Sequence, residues 1–216
     1  MAERHDRQLL VEGNDDCHVL YALCEKFKLP ETFDIIDCKG IGNIFKGLPT
    51  RIKSSGAINT IGIIIDADTD ILARWETVCN ILLSSGKYDN VPNICPEGGL
   101  ILHPIIPEDI TFGVWIMPDN KTNGMLENFT TYLIPNDDRL LQIADETLDR
   151  IESEGLNRYE LIHREKARIH SWLAWQEIPG TPMGLAITKK YLSTEPPVCQ
   201  AFIQWLNSLF NQECIK

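Results

Sequence analysis

The chain has 216 residues, of which 44% are hydrophobic and 24% charged, and its formal net charge at pH 7 is −11. This composition excludes a disordered chain. The excess of acid excludes a protein that coats nucleic acid through a general positive field, because such binding depends on Lys and Arg. No run approaches the ~18 apolar residues of a membrane span, and residues 1–7 are too polar for a signal peptide. The sequence therefore predicts a soluble, cytoplasmic protein without a membrane partner.

The cysteines indicate neither a disulfide framework nor a zinc site. They are odd in number, scattered, mostly within apolar runs, and include no C-x-x-C pair. We expect reduced core residues at all seven positions, which are Cys17, Cys24, Cys38, Cys79, Cys95, Cys199 and Cys214.

The first half of the chain alternates short apolar runs with amphipathic segments. The predicted strands and helices, in order, are a strand at 8–12, a helix at 16–27, a strand at 33–38, a helix from the glycines at 40 and 42 to about 53, a strand at 60–66 and a helix at 71–84. This order predicts right-handed crossovers and a parallel sheet. A stretch rich in Pro, Gly and Asn follows, with a short strand at 100–103 and a longer strand at 111–117.

The second half is predicted to be helical. Helices are expected at 124–134, 137–154, 158–176, 184–191 and 198–210. We therefore expect an α/β fold in which residues 1–122 form the sheet-containing core. Residues 123–216 form a helical part packed on that core within the same structural domain, since no obvious linker separates the two.

Two acidic signatures follow predicted strands. Glu12 and Gly13 end the first strand, and Asp66, Asp68 and Asp70 occupy alternate positions from the end of the third. The carboxyl ends of parallel strands meet at one edge of a sheet, where ligands bind. Carboxylates crowded there repel one another unless a cation neutralises them, and a hard divalent ion such as Mg²⁺ prefers oxygen ligands.

These residues resemble the signature of the Toprim domain, the metal-dependent module of topoisomerases, bacterial primases, recombination mediators and OLD-type nucleases. Asp16, four residues after Glu12, also resembles the E-x-x-x-D form of the motif in the OLD-type group. The resemblance covers the predicted core and is similar to small stand-alone Toprim proteins. It implies a Toprim-like (Rossmann-like) fold, one or two Mg²⁺ or Mn²⁺ ions, and phosphodiester chemistry on DNA or RNA.

Each acidic residue has a predicted role. Glu12 is expected to bind metal and to act as general acid or base. Asp66 and Asp68, two apart on an extended segment, are expected to face the same side and hold one ion together. Asp16 and Asp70 are metal-ligand candidates too, although Asp near a helix N-terminus is equally well explained by capping and the helix dipole.

Two later residues are candidates for completing a two-metal site. The resemblance to OLD-type nucleases implies a second-metal carboxylate from a later segment, and Glu127 is the candidate, with a helix-dipole role as the alternative. The same resemblance implies a lysine that contacts phosphate. Lys166 lies three residues before Ile169 on the predicted apolar stripe, so it is expected to point inward; the alternative is a side chain that snorkels to water.

Basic residues near these elements are candidate nucleic-acid contacts. Lys39 and Lys46 surround the second predicted helix, while Arg164 and Arg168 lie on the helix that carries Lys166. The alternative for each is an ordinary solvated surface charge.

The sequence thus predicts a divalent-metal-dependent Toprim nuclease. Two alternatives remain open. One is a receiver-like Mg²⁺-binding signalling module, since Asp15, Asp16 and Asp66 also resemble the acidic pocket of a receiver domain. The other is a non-catalytic Toprim subunit that works with a partner protein such as an ATPase. The sequence does not choose between DNA and RNA and assigns no oligomeric state.

Overall fold

The chain is described by a computed structural model over residues 5–54, 56 and 58–211. Its elements are β1 (Arg7–Val11), α1 (Asn14–Phe27), β2 (Asp34–Asp37), α2 (Ile41–Lys53), β3 (Thr60–Asp66), α3 (Ile71–Ser85), β4 (Leu100–Leu102), β5 (Thr111–Met117), α4 (Leu126–Tyr132), α5 (Arg139–Ser153), α6 (Arg164–Ala174), α7 (Met183–Thr188) and α8 (Pro197–Phe210). Residues 1–4 and Cys214, which enter the signal-peptide and cysteine predictions, lie outside the described residues. The six described cysteines are free thiols.

The strands form one sheet in the order β2-β1-β3-β5-β4. The first four are parallel, and only β4 runs antiparallel to its neighbour β5. The prediction of an α/β fold with a mainly parallel sheet flanked by helices is therefore confirmed. The chain leaves β1 toward β2 on one side and returns to β3 on the other, so the switch point of the sheet lies between β1 and β3.

The side chains along each strand alternate between the two faces of the sheet, and each face has its own hydrophobic core. Leu9 and Val11 of β1 face a core shared with α1, α4, α6, α7 and α8, whereas Leu10 faces a core shared with α2 and α3. The helices that follow β5 thus cover one face of the sheet. Within the described part of the chain, no helix is both long and apolar enough to cross a membrane.

Helix α8 lies unusually close to the sheet at two paired glycines. Gly62 of β3 pairs with Gly113 of β5. A Cβ atom built on either glycine would clash with the side chain of Leu209. The absence of a side chain at these two positions therefore allows α8 to pack directly against the sheet backbone.

The predicted helix bounds differ from the structure by up to three residues, as for 184–191, which is helical over Met183–Thr188, and by more than that in one helix. The segment expected to be helical from 158 to 176 contains a 3₁₀ turn at Leu161–His163, followed by α6. Local side-chain bonds compete with helix formation at its start, since Asn157 donates to the Tyr159 carbonyl and the Tyr159 hydroxyl donates to Glu152. By contrast, β3 and β5 begin and end at the predicted residues.

Candidate functional site

A cleft of about 290 Å³ opens at the carboxyl edge of the sheet, beside the switch point between β1 and β3. Its walls come from the end of β1, the first turn of α1, the end of β3, the start of α4 and one flank of α6. Its lining residues are Glu12, Gly13, Asn14, Asp15, Asp16, Gly40, Asp66, Leu126, Glu127 and Lys166. The cleft thus brings together five of the predicted site residues, namely Glu12, Asp16, Asp66, Glu127 and Lys166.

Glu12 and Asp66 follow neighbouring strands and are linked directly. The backbone N–H of Asp66 donates to Glu12 Oε1 at 2.7 Å. Asp66 Oδ1 in turn accepts from the backbone N–H of Leu126, at the start of α4, at 3.0 Å. These bonds tie the ends of β1 and β3 to α4.

Asp16 lies on the first turn of α1 and is buried. Its Oδ2 accepts from the backbone N–H of Gly13 at 3.0 Å, which is the capping contact considered as its alternative role. Because Asp16 also lines the cleft, its position is compatible with both roles.

In the metal-free protein, burial and mutual repulsion disfavour the ionised forms of these carboxylates. Burial is the main cause that raises the pKa of Glu12. Burial, with the charge of Glu12 next in effect, raises the pKa of Asp16 to about 7 and that of Asp66 to about 9. A cation in the cleft would reverse this effect by favouring the ionised forms.

Glu127 and Lys166 close the cleft on the helical side. Glu127 is buried in the first turn of α4, and its Oε1 lies 3.5 Å from the Lys166 ammonium. Both positions predicted for Lys166 are partly seen, since its ammonium meets the cleft carboxylate of Glu127 while half of its side chain is exposed (51%). Its stem follows the edge of the apolar face of α6, and its charge sits at the rim of the cleft.

Asp68 and Asp70 do not line the cleft. The prediction that Asp66 and Asp68 share one face of an extended segment is wrong, because β3 ends at Asp66 and Asp68 has a left-handed backbone with φ of 51°. Asp68 instead forms an ion pair with Arg74 and borders a neighbouring depression. Asp70 caps α3, where its Oδ1 accepts from the Ala73 N–H at 3.0 Å.

The predicted nucleic-acid contacts lie away from the cleft or are already ion-paired. Lys39 is exposed and pairs with Asp37 at 2.6 Å, and Lys46 is exposed on α2. Arg164 and Arg168 sit two positions from Lys166, about 200° around the helix, and therefore face away from the cleft. Both bind acidic residues, which are Asp149 and Glu152 for Arg164 and Asp145 and Glu165 for Arg168.

As the side chains stand, the described residues contain no group of three or more His, Cys, Asp or Glu arranged to hold a metal ion. The donors nevertheless fit a hard divalent ion in chemistry, since Glu12, Asp16, Asp66 and Glu127 offer only oxygen atoms. Side-chain rotation is needed to aim these oxygens at one point. A bound ion would thus draw these carboxylate oxygens into one set of ligands.

Sequence reasoning missed two contributors to this region. The N–H of Leu126 orients Asp66, and Arg74 neutralises Asp68. Arg74 lies on the first turn of the helix that Asp70 caps, so its closeness in sequence to the acidic residues could have marked it as a candidate. Its partner could not be predicted, because it depends on how the chain turns after β3.

A family model described as "Protein of unknown function (DUF3226)" matches residues 6–211. No curated protein and no solved structure matches the chain.

Proposed function

The chain belongs to the DUF3226 family, whose description assigns no activity, and we propose that it is a divalent-metal-dependent phosphodiesterase acting on nucleic acid, with a Toprim-like fold and nuclease activity. The observation that carries this proposal is the cleft in which Glu12, Asp16, Asp66 and Glu127 converge with Lys166. A buried group of carboxylates with one cation at its rim is suited to holding Mg²⁺ or Mn²⁺ against a phosphate.

The cleft residues divide the chemistry among them. Asp66, Asp16 and Glu127 would hold one or two ions, which supply charge neutralisation at the phosphate and activation of water. Glu12, whose pKa is raised mainly by burial, is suited to exchange a proton with the attacking or leaving oxygen. Lys166, half-exposed at the rim, can contact a phosphate oxygen without leaving α6.

The strand order supports the location of this chemistry. Glu12 and Asp66 follow the two strands that border the switch point, where open α/β sheets bind their ligands. The carboxyl ends of the other parallel strands contribute no carboxylate to the cleft lining. The acidic residues are thus concentrated where a substrate has access to the sheet edge.

Cleavage assays test the proposal. Supercoiled plasmid, single-stranded DNA and RNA are incubated with purified protein and Mn²⁺ or Mg²⁺. We expect metal-dependent cleavage that falls by about 10² to 10⁴-fold in Glu12→Gln, Asp66→Asn and Lys166→Met. The matched control is Asp149→Asn, which removes a carboxylate from α5 and should cleave like wild type. Cleavage that survives in both Glu12→Gln and Asp66→Asn contradicts the proposal.

A second candidate is a Toprim-like subunit that acts on nucleic acid with a partner protein such as an ATPase. The ion pairs of Arg164 and Arg168 favour it, because charges already neutralised by acidic residues offer less attraction to phosphates. Folded protein that binds Mn²⁺ but cleaves none of the substrates supports this candidate. Formation of a labile phosphate on Asp66 from a small phosphodonor would instead support a receiver-like module.

A further inference from the structure

The strand β2 forms one edge of the sheet. It pairs with β1 on one side and, within the described part of the chain, with no strand on the other. All four of its residues are partly accessible to solvent, whereas β3 is buried from Thr60 to Ile65. The outer side of an edge strand carries N–H and C=O groups that can pair with another chain. A further strand can therefore be added at β2.

The direction of the backbone groups shows which residues of β2 would form these bonds. Just after β2, the N–H of Cys38 donates to the Val11 carbonyl of β1 at 2.9 Å. Backbone groups alternate in direction along a strand, so those of Ile36 also point toward β1, and those of Ile35 and Asp37 point away from it. The described loops around β2 offer no partner to these outward groups. Ile35 and Asp37 are thus the residues that an added strand would bond.

A groove of about 710 Å³ lies beside this edge, between β2 and the second half of α1, and we call it the β2 groove. Leu29, Phe33 and Ile35 line it and also pack against the core on this face of the sheet. Phe33 stacks on Phe210 of α8, with 4.1 Å between the ring centroids. A strand added to β2 would direct every second side chain toward this apolar floor.

The rim of the β2 groove is acidic. Glu25, Glu31 and Asp34 line it, and the ion pairs of the described residues include none of these three carboxylates. Lys28 is the one lysine of the lining, so the acids exceed it in charge. Tyr21, 53% exposed, also lines the groove, and the face of its ring can attract a cation. The rim therefore complements a basic partner.

We propose that the β2 groove binds an extended segment of a partner protein. The segment adds a strand to β2, covers the floor with apolar side chains at alternate positions and sets Lys or Arg side chains against the acidic rim. In strand addition, main-chain bonds provide affinity and pockets for alternate side chains provide specificity. A second copy of this chain fits less well, because it brings the same acidic rim and a net charge of −11.

This inference goes beyond the proposed function and does not depend on it. The β2 groove shares no lining residue with the carboxylate cleft. A partner bound there would leave the cleft open to substrate. Loss of cleavage activity and loss of partner binding are therefore separate results.

The test uses two fluorescein-labelled peptides of eight residues, one alternating Val with Lys and the other alternating Val with Glu. Fluorescence anisotropy measures their binding to the full chain. Hydrogen exchange followed by NMR measures the protection of the Ile35 and Asp37 amides, with the Cys38 amide as the internal reference. Sedimentation velocity measures the oligomeric state.

Two variants and one matched control accompany the wild type. The rim variant is Glu25→Lys with Glu31→Lys, and its control is Glu146→Lys with Glu160→Lys, which changes the net charge equally at exposed positions. Ile35→Pro removes one outward N–H, a change that edge strands tolerate. Circular dichroism verifies folding, and the rim variant and the exchange data decide the question if Ile35→Pro does not fold.

We expect wild type to bind the Val–Lys peptide and not the Val–Glu peptide. The rim variant and Ile35→Pro should each bind the Val–Lys peptide about tenfold more weakly, and the control should match wild type within about twofold. With the peptide at ten times its dissociation constant, the Ile35 and Asp37 amides should exchange about tenfold more slowly. The Cys38 amide, already bonded to β1, should not change.

Four outcomes overturn the inference. The first is wild type that does not bind the Val–Lys peptide. The second is an equal loss of binding in the rim variant and its control, which would mean a general attraction between opposite charges. The third is peptide binding that leaves the exchange of Ile35 and Asp37 unchanged. The fourth is a wild-type dimer in which these two amides are protected without peptide, which would assign the edge to a second copy.

Discussion

The cleft and the contact between α5 and α6 are both rich in carboxylates, but they are neutralised differently. On α5, Asp145, Asp149 and Glu152 meet the guanidinium groups of Arg168 and Arg164. A hydrogen bond from the Tyr159 hydroxyl is the main cause that lowers the pKa of Glu152, and Arg164 adds to it. In the cleft, Lys166 pairs with Glu127, and burial raises the pKa of Asp16 and Asp66.

The difference separates a structural use of charge from a binding use. The α5–α6 acids have partners within the chain and need nothing from solution. The cleft acids are held together by backbone N–H groups from three elements while their charges remain poorly balanced. A fold that maintains such repulsion is typical of a functional site, because the missing charge is supplied by a ligand. Each prediction below tests this contrast.

The largest effect should be stabilisation by metal. Adding Mn²⁺ at one hundred times its dissociation constant should raise the melting temperature by about 5 to 10 °C at neutral pH, which corresponds to about 2.7 kcal/mol in a chain of this size. Differential scanning fluorimetry measures the shift. Asp66→Asn should lose most of it, whereas Asp149→Asn should keep it. An equal shift in both variants would mean that Mn²⁺ binds elsewhere.

The next effect concerns pH in the metal-free protein. The pKa of Asp66 rises from 3.8 to about 9 on folding, so the folded chain keeps a proton that the unfolded chain releases. The free energy of unfolding therefore falls as pH rises through this range. Asp66→Asn has no such proton and should exceed wild type by about 1 to 3 kcal/mol at pH 8, with the difference vanishing near pH 4.

Urea denaturation in EDTA at a series of pH values measures this difference. Asp149→Asn serves as the reference, because it removes a carboxylate from the balanced region. A wild type that loses no stability relative to Asp66→Asn between pH 4 and pH 8 would contradict the crowding that we describe. Added Mn²⁺ should reverse the order of the two proteins at pH 8, since only wild type retains the ligand.

The smallest effect should come from the balanced region. Arg168→Gln removes the two contacts to Asp145, at 2.6 and 2.7 Å, and should lower the free energy of unfolding by about 0.5 to 1 kcal/mol. The loss should shrink in 1 M NaCl and should not alter the Mn²⁺ shift. A loss of the Mn²⁺ shift in Arg168→Gln would place this region in the functional site and would contradict the distinction between the cleft and the α5–α6 contact.

Features set by local pattern were predictable from the sequence. The apolar runs of β3 and β5 end abruptly, so their bounds followed from the residues alone. Because parallel strands share one edge, the proximity of Glu12 and Asp66 followed from the predicted topology. The Toprim resemblance directed attention to Glu127 and, together with the apolar spacing on its helix, to Lys166; both line the same cleft. Their chemical roles stay predictions.

Features set by distant partners were not predictable. Asp68 leaves the strand direction because Gly124, far along the chain, bonds to its backbone. Arg164 and Arg168 were recognised as basic, but apart from Glu165 of α6 the acids that pair with them belong to α5, and no pattern within α6 identifies those. Lys166 follows the apolar spacing and still ends half-exposed, since the helix lies at the edge of the core.

The glycine pair under α8 has a consequence for how the chain is made. Gly62 and Gly113 leave a bare strip of sheet that Leu209 and Phe210 of α8 cover together with Leu9 of β1, and α8 is the last described element. On a ribosome, β3, which carries Asp66, and β5 emerge before this cover does. Trp115 of β5 packs against Trp205 of α8, so it lacks this contact until α8 has been synthesised. The strand that carries Asp66 therefore gains this cover only after α8 has been synthesised.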